Sequence, residues 1–517
     1  MIKSEALIYL VNSMTKPEKK AFRITTESSE GANYLKLYEL ICNTKDLTVE
    51  GLRTAFTSQF EEASFNTSVT HLYKVLLNTM LDLRKDQDSY YSLFDKILKA
   101  RILFEKSLSQ ECFDTLEKVK RNAVNYENYH ALLISSRLEL EYLLALNFPG
   151  IDENSLLHKQ FKVNETLRVI QKIHQQSSLY ELLKHRLLHK GNARSEKQKT
   201  ELNDLVVSEM SIVSSSNINN YEINKLHQLF QANYLISVGD YKSAFRSFNE
   251  LNILQEANKH LWSNPPIYYV LTIEGILDSL RSLRDYDGME NFVQRLKNLD
   301  TPFLSFNTNV LCLIFLYELF PSLDRGDFAA CERLMKSYGT TLFKKIQLLS
   351  LQRNAELHLY IALIHFGLRD FKKAKKSLSK IIFTSRDYSA LPLFRTIRLV
   401  NLMVLYELRD TEFIKYESRS IKRDINAAGK EYKIEKKILN FVNKPNLPIS
   451  AIKRKRLWES IQGEFKIINQ DVYEQQTLRL FDFSTWIESK IRKIPLGDIL
   501  ASRGEKEKGK VGATAID

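Results

Sequence analysis

Five short segments of this chain repeat the same order of residue types at nearly constant spacing. Each segment is centred on one aspartate: Asp240, Asp285, Asp327, Asp370 and Asp410. The intervals between them are 45, 42, 43 and 40 residues. A period in this range, repeated five times, is typical of a solenoid built from pairs of helices.

The residues around each aspartate suit a joint between two helices. An aspartate that starts a helix accepts hydrogen bonds from first-turn N–H groups and favours the positive end of the helix dipole. Gly239 and Gly326 precede two of these aspartates, where a positive φ would end the preceding helix. Small or apolar residues follow at four and eight positions, for example Ala244 and Phe248. This spacing predicts a second helix with a continuous apolar stripe.

Composition agrees with an all-α chain. Only 16 Gly and 10 Pro occur in 517 residues, whereas a β-rich protein needs these residues at its many turns. A chain of this length is too long for one compact core, so we expect several domains or an elongated repeat array.

Two of the joints carry the motif of a known repeat. In the first, Gly239–Tyr241 surrounds Asp240, with Ala244 four residues after the aspartate and Ala232 eight residues before it. In the second, Phe371 follows Asp370, and Ala374 and Ala362 occupy the same two positions. In this respect the chain resembles the tetratricopeptide repeat. The resemblance implies a right-handed α-solenoid of stacked helix pairs that binds a peptide or protein in its groove. The period here is longer than in that family, and Arg386 stands where the closing proline is expected.

The expected organisation has five parts. They are a helical N-terminal unit at 1–88, degenerate helix pairs at 89–220, tetratricopeptide-like repeats at 221–445, basic and capping helices at 446–500, and a disordered tail at 501–517. Charged and glycine-rich composition is the reason for expecting disorder in the tail.

The first helix of each pair commonly lines the groove in such solenoids. Positions sixteen, twelve and nine before the joint aspartate share one helical face. The polar residues on this face are the candidate peptide-binding residues: Asn224, Gln228, Gln231, Asn354, His358, Arg398 and Asn401. Their amides would satisfy the backbone of a bound peptide. The alternative is that these side chains simply face water.

The N-terminal unit allows a second function. A helix predicted at 66–83 could be the recognition helix of a helix-turn-helix, which would make the chain a transcriptional regulator whose solenoid senses a partner. This helix contains only Lys74 before Arg84 and Lys85, and residues 1–100 carry 13 basic and 13 acidic groups. DNA-binding units usually have a basic surface, so we expect packing rather than DNA reading.

The positive charge of the chain is concentrated near its C-terminal end. Residues 415–466 hold 14 basic and 6 acidic groups, and Lys453, Arg454, Lys455 and Arg456 are consecutive. Such a run is usually a solvated helix face. Nucleic acid or an acidic peptide is a possible partner for it, although few aromatic residues are interleaved for base stacking.

Patterns typical of catalysis are incomplete. His185 and His189 have a zinc-compatible spacing, but no metalloprotease motif surrounds them. Residues 504–511 lack the final Ser or Thr of a phosphate-binding loop. Four scattered cysteines, and the lack of a signal-like or membrane-spanning run, suit the cytoplasm. We therefore expect a non-enzymatic, cytoplasmic interaction scaffold that needs no cofactor or metal and contacts no membrane.

Overall fold

The computed structural model describes residues 3–27, 32–44, 48–60, 63–214, 220–428, 432–444 and 447–511. Within these ranges the chain forms 26 α-helices and no strand, and 82% of it is helical. The predicted all-α class is confirmed, and the architecture is consistent with an α-solenoid. The chain divides into two compact units, residues 1–171 and 172–517.

Unit 1 contains eight complete helices and the start of a ninth. They are α1 (Lys3–Ser13), α2 (Lys16–Thr26), α3 (Asn33–Asn43), α4 (Val49–Gln59), α5 (Phe65–Lys85), α6 (Ser89–Glu105), α7 (Ser109–Asn125), α8 (Tyr129–Ala145) and α9 (Glu153–Lys190). A capping box formed by Thr15 and Glu18 starts α2. Helices α1 to α5 share one core, in which Leu37, Phe56 and Leu72 are fully buried.

Unit 2 contains the end of α9 and all later helices. These are α10 (Glu196–Thr200), α11 (Asn203–Ser214), α12 (Tyr221–Ser237), α13 (Tyr241–Ala257), α14 (Ile267–Ser282), α15 (Tyr286–Lys297), α16 (Leu304–Asp324), α17 (Phe328–Ser337), α18 (Leu351–Gly367), α19 (Phe371–Ile382), α20 (Pro392–Glu407), α21 (Thr411–Ala428), α22 (Lys433–Val442), α23 (Ala451–Gln470), α24 (Val472–Leu478), α25 (Phe483–Arg492) and α26 (Leu496–Val511). The division between units falls inside α9, away from the expected boundaries at 88 and 220.

All five predicted joints start a helix in the same way. The side chain of each aspartate accepts a hydrogen bond from the backbone N–H three residues later, over 2.9–3.4 Å. The residue before each aspartate has a positive φ of 58–83°, whether it is glycine or arginine. The prediction of five equivalent helix starts is therefore confirmed.

The first helices of the pairs in unit 2 are buried on nearly all sides. Helices α14, α16, α18 and α20 pack against the second helices of their pairs and also against one another. Among the described residues, α16 alone is long and apolar enough to cross a membrane. Core helices meet the same criterion, and 56% of its apolar window is buried inside the protein.

The C-terminal helices lie against the joints. A Cβ on Gly239 would stand 2.5 Å from the Val472 side chain, and one on Gly326 would stand 2.7 Å from the Gly497 carbonyl oxygen. Beside the Gly239 contact, Gln476 donates to the Ser237 carbonyl oxygen over 3.1 Å.

Helix α26 (Leu496–Val511) includes the first residues of the segment 501–517, for which disorder was expected, and residues 512–517 lie outside the described ranges.

Candidate functional site

The predicted groove residues of unit 2 face the second helix of their own pair. The Gln228 amide donates to Glu250 on α13 over 3.4 Å, and His358 lies 3.2 Å from the Ser377 hydroxyl on α19. Arg398 forms ion pairs with Glu417 and Asp424, both on α21. These side chains therefore join two helices and do not stand free for a ligand.

The other predicted groove residues lie in similar surroundings. His358 and Asn401 are only 4% and 9% exposed. Asn354 is half-buried and donates to the Tyr388 hydroxyl over 3.1 Å. Asn224 and Gln231 are also half-buried. The face chosen from the sequence is thus mostly an interface between helices.

A different face of the first helices carries a network of charges. Arg353 on α18 pairs with Glu274 on α14 and with Glu356 on its own helix. Burial lowers the pKa of Arg353, but these carboxylates outweigh burial and leave the pKa well above its usual value. Burial dominates for Glu356 and raises its pKa despite the guanidinium beside it. Since each of these charges has an opposite partner, the network fits a structural role.

This network continues along α14. Asp278 accepts a hydrogen bond from Arg479 over 2.8 Å, and Arg281 pairs with Asp324 over 3.1 Å. Glu274, Asp278 and Arg281 recur at intervals of four and three, so they share one face of the helix. These are the charged residues of an otherwise apolar helix. Their spacing in the sequence could have predicted that the charged network lies on this face of α14.

A cavity of about 650 Å³ lies beside the joint at Asp285, which is the second of the five joints. The cavity is enclosed between this joint and the C-terminal helices. Tyr241, Arg284, Tyr286 and Phe328 line its joint side, and α23 contributes residues such as Lys466 to the opposite side. Its size lies within the range of about 300–1,000 Å³ that is common for small-ligand sites.

The cavity is lined by more positive than negative side chains. Its cations are Arg281, Arg284, Lys466, Arg479, Arg492 and Arg503, and its carboxylates are Asp324, Asp482 and Glu488. Arg503 pairs with Asp482 over 2.6 Å and with Glu488 over 2.7 Å. Arg281, Arg479 and Arg492 pair with Asp324, Asp278 and Glu488, so most of the positive charge at the cavity is neutralised within the protein.

The polar groups at the cavity wall mostly bond to one another. Tyr241 is only 7% exposed, and its hydroxyl bonds with the Ser282 hydroxyl, which itself donates to the Asp278 carbonyl oxygen. The side-chain oxygen of Asn469 has no hydrogen-bond partner among the described residues.

The predicted basic patch lies on the first turn and a half of α23. Lys453, Lys455 and Arg456 are exposed, and Arg454 is half-buried with its Nε atom unpartnered. Farther upstream, Lys433 and Lys437 pair with Asp471 and Glu464. Only part of the basic segment is therefore available for an anionic partner.

The helix proposed for DNA reading is α5. Lys74 is exposed on it, whereas Arg84 pairs with Glu18 and Lys85 with Asp82. Leu77 and Leu81 are also exposed on α5. This distribution does not favour contact with a phosphate backbone.

Potential metal ligands do not cluster in the described part of the chain, where no group of three or more His, Cys, Asp or Glu side chains is positioned to hold a metal ion. His185 and His189 lie side by side on α9, with ring centroids 4.4 Å apart. The four cysteines are free thiols, and Cys112, Cys312 and Cys331 are buried.

Helix α6 of unit 1 leaves large apolar side chains exposed. Leu98 and Ile102 are 63% and 55% exposed, and Tyr90 is exposed at the start of the helix. With the half-buried Phe94 they recur at intervals of four residues. Ile134 and Leu144 are exposed on α8.

Comparisons with protein families, with curated proteins and with solved structures found no match to this chain.

Proposed function

We propose that this protein is a right-handed, tetratricopeptide-like α-solenoid that acts as a non-enzymatic scaffold for a peptide or protein partner. Five equivalent aspartate caps support a repeated helix-pair unit. Four free cysteines support the proposed cytoplasmic location. The buried charges Arg281 and Arg353 on the first helices of unit 2 are matched by carboxylates in ion pairs, which supports a scaffold rather than an enzyme.

The apolar stripe on α6 is the observation that carries this proposal. Twelve residues separate Tyr90 from Ile102, so the stripe is about 18 Å long at the helical rise of about 1.5 Å per residue. Exposed apolar patches of this kind often mark interaction surfaces. In contrast, the first helices of unit 2 bury their apolar side chains.

The occupant we propose is an amphipathic helix of another protein. Such a helix places apolar residues every three or four positions and would match the spacing of the stripe. The flanking charges on α6 are already neutralised, because Lys99 pairs with Asp95 and Arg101 pairs with Glu105. Apolar contact would therefore supply most of the affinity.

A double variant, Leu98→Asp with Ile102→Asp, tests the proposal. Both side chains are exposed, so the fold should persist while the apolar contact is lost. Partners would be crosslinked in cells, identified by mass spectrometry and then titrated against the purified chain. We expect the double variant to weaken the interaction by about tenfold or more, since two apolar anchors are lost.

The matched control is Gln110→Glu with Asn125→Asp on α7. Both positions are exposed, and the pair adds the same negative charge outside the stripe. The control should bind as the wild type does. If the double variant retains every partner at wild-type affinity, the stripe is not the docking surface.

DNA binding by α5 remains the second proposal. Lys74 is its exposed cation, so Lys74→Glu should lower the retention of the full chain on DNA at low salt. Retention that is absent at low salt, or unchanged by this substitution, would remove the regulator hypothesis.

A further inference from the structure

We propose that the outer surface of α19 and α21 binds single-stranded nucleic acid, with cations on the phosphates and aromatic rings stacked on the bases. The α19–α21 surface consists of the exposed side chains of residues 371–383 and 411–426. It lies wholly within unit 2, whereas the α6 stripe and α5 belong to unit 1. Its test can therefore succeed or fail independently of the two functions proposed above.

The two helices lie side by side at the fifth joint. Lys375 on α19 pairs over 3.3 Å with Asp410, which caps α21, and its ammonium group lies 5.2 Å from the centroid of the Phe413 ring. Both helices bury one face against first helices, because α19 packs on α18 and α20, and α21 packs on α20. The opposite faces are exposed and adjoin one another.

Helix α19 presents a row of positive charge. It contains five lysines and no carboxylate. Two lysines are matched, since Lys373 pairs with Asp370 and Lys375 pairs with Asp410. The other three are exposed, recur at intervals of four and form no ion pair in the described structure: Lys372, Lys376 and Lys380. This row is about 12 Å long at the helical rise.

Helix α21 extends the positive charge. Its carboxylates Glu417 and Asp424 are bound to Arg398. Among the described residues of this helix, only Glu412 is left to offset the exposed cations that have no ion pair, which are Lys415, Arg419, Lys422 and Arg423. A surface with such an excess of cations attracts a polyanion.

Three large aromatic side chains stand among these cations. Phe383, Phe413 and Tyr416 are 74%, 56% and 69% exposed. Phe383 follows Lys380 by three residues, and Tyr416 precedes Arg419 by three, so rings and cations recur at helical spacing. Phe383 and Phe413 lie outside residues 415–466, so the basic segment alone did not reveal them. Rings this exposed can stack on a planar group.

The mixture of rings and cations selects nucleic acid among polyanions. Single-strand-binding proteins combine cations that follow the backbone with aromatic side chains on which bases stack. A helix that lies on an anionic membrane instead separates an apolar face from a charged face. An acidic peptide would neutralise the cations but leave the rings without planar partners. In a duplex the bases are stacked on one another, which favours a single strand here.

The experiment measures fluorescence anisotropy of a labelled oligodeoxythymidine and a labelled oligouridine, each of about 15 nucleotides, with the full chain at about 50 mM salt. Duplex DNA of the same length is the comparison probe. Both single strands should bind at least about fivefold more tightly than the duplex, because only unpaired bases can stack on the rings.

Two double variants separate stacking from charge. Phe413→Ala with Tyr416→Ala should weaken single-strand binding by about tenfold or more, since two stacking platforms are lost. Lys376→Ala with Lys380→Ala should lower the slope of log affinity against log salt by about 1.4 in magnitude, as expected for two phosphate contacts. All four side chains are exposed, so the thermal midpoint should not change.

Each double variant has a matched control in unit 1. Tyr9→Ala with Phe161→Ala removes a tyrosine and a phenylalanine that are 50% and 53% exposed. Lys16→Ala with Lys20→Ala removes two exposed lysines of α2 at the same spacing of four, and neither forms an ion pair in the described structure. Both controls should keep the affinity within about twofold, because exposed charges away from the site are screened.

Three results would overturn the proposal. One is absence of binding by either single strand up to about 100 μM protein, the weak end of non-specific affinities. Another is equal affinity for single strand and duplex, which would exclude stacking. The third is equal loss of affinity in the variants and their controls, which would indicate general attraction.

Vesicles containing phosphatidylserine provide a comparison with a membrane surface. Sedimentation with these vesicles should retain little of the full chain at the same salt. If the vesicles retain the chain, the two double variants abolish this retention and no oligonucleotide binds, the surface is a membrane-binding site and the proposal is wrong.

Discussion

The guanidinium of Arg281 on α14 donates a 3.0 Å hydrogen bond to the hydroxyl of Tyr360 on α18, 79 residues away in the sequence. The same group pairs with Asp324 on α16 and stacks 3.4 Å from the centroid of the Phe320 ring. One buried side chain thus connects the first helices of three successive pairs.

Replacing Arg281 should destabilise unit 2. Arg281→Met would leave Asp324 without its cationic partner and with only the 3.0 Å hydrogen bond from the Tyr286 hydroxyl. Breaking a buried pair in this way costs about 3 kcal/mol. Arg281→Lys keeps the charge but not the planar fork, so we expect a smaller loss of about 1–2 kcal/mol. Urea unfolding of both variants, followed by far-UV circular dichroism, measures these changes.

Lys455→Met is the matched control, because Lys455 is exposed and loses the same charge. It should change the unfolding free energy by less than about 0.5 kcal/mol. If Arg281→Met is no less stable than this control, the bridge between the three helices does not contribute to stability.

His358 should make stability depend on pH. Burial, followed by the charge of Lys380, lowers the pKa of His358 to about 4 from an ordinary value of 6.5. A depressed pKa means that the folded state favours the neutral ring, so the contribution is complete above pH 6.5 and is lost as the pH falls towards 4. Between pH 7 and pH 5 the loss should be about 2 kcal/mol.

His358→Gln isolates this effect, because glutamine keeps a polar side chain but does not titrate. The variant should show a smaller fall in urea midpoint between pH 7 and pH 5 than the wild type. His130→Gln at an exposed position of α8 serves as the control and should keep the wild-type pH dependence. Equal pH dependence in all three proteins would contradict the burial argument.

Local chemistry made the joints predictable. An aspartate cap and a residue able to adopt a positive φ act within a few residues, so their positions could be read from Asp240 or Asp327 without knowing the fold. The all-α class followed from the same pattern and from few Gly and Pro residues.

The functional face of the first helices could not be assigned in the same way. A first helix that is enclosed on nearly all sides has no face that periodicity alone can identify as the groove. His358 was selected as polar, yet Ser377 and the second helix cover it. The cavity is lined by residues distant in the sequence, such as Tyr286 and Phe465, which are 179 residues apart and leave no local signal.

The caps provide a direct test of equivalence between joints. Asp285→Ala and Asp327→Ala each remove a hydrogen bond to a first-turn N–H, of 3.0 and 2.9 Å. We expect each variant to lose about 1 kcal/mol of unfolding free energy, and Asp→Asn at either position to lose much less. Thermal unfolding of the four variants would show this order, and a large difference between the two alanine variants would contradict equivalent joints.

Two glycines should respond to alanine in opposite directions. Gly239 has a φ of +83°, and a Cβ there would meet Val472 at 2.5 Å, so Gly239→Ala is opposed by both backbone conformation and packing. We expect a loss of about 2 kcal/mol or more. Gly463 lies inside α23 with open space around its Cα, so Gly463→Ala should stabilise the chain by about 0.5–1 kcal/mol.

Comparing Gly239→Ala with Gly463→Ala also tests whether the C-terminal helices pack on the first joint, at Asp240. Gly239→Ala should expose α24 to limited proteolysis, because Val472 begins this helix and packs on the glycine. Gly463→Ala should leave the cleavage pattern unchanged. Should Gly239→Ala match Gly463→Ala in both unfolding free energy and cleavage, the close contact between the first joint and the C-terminal segment would be disproved.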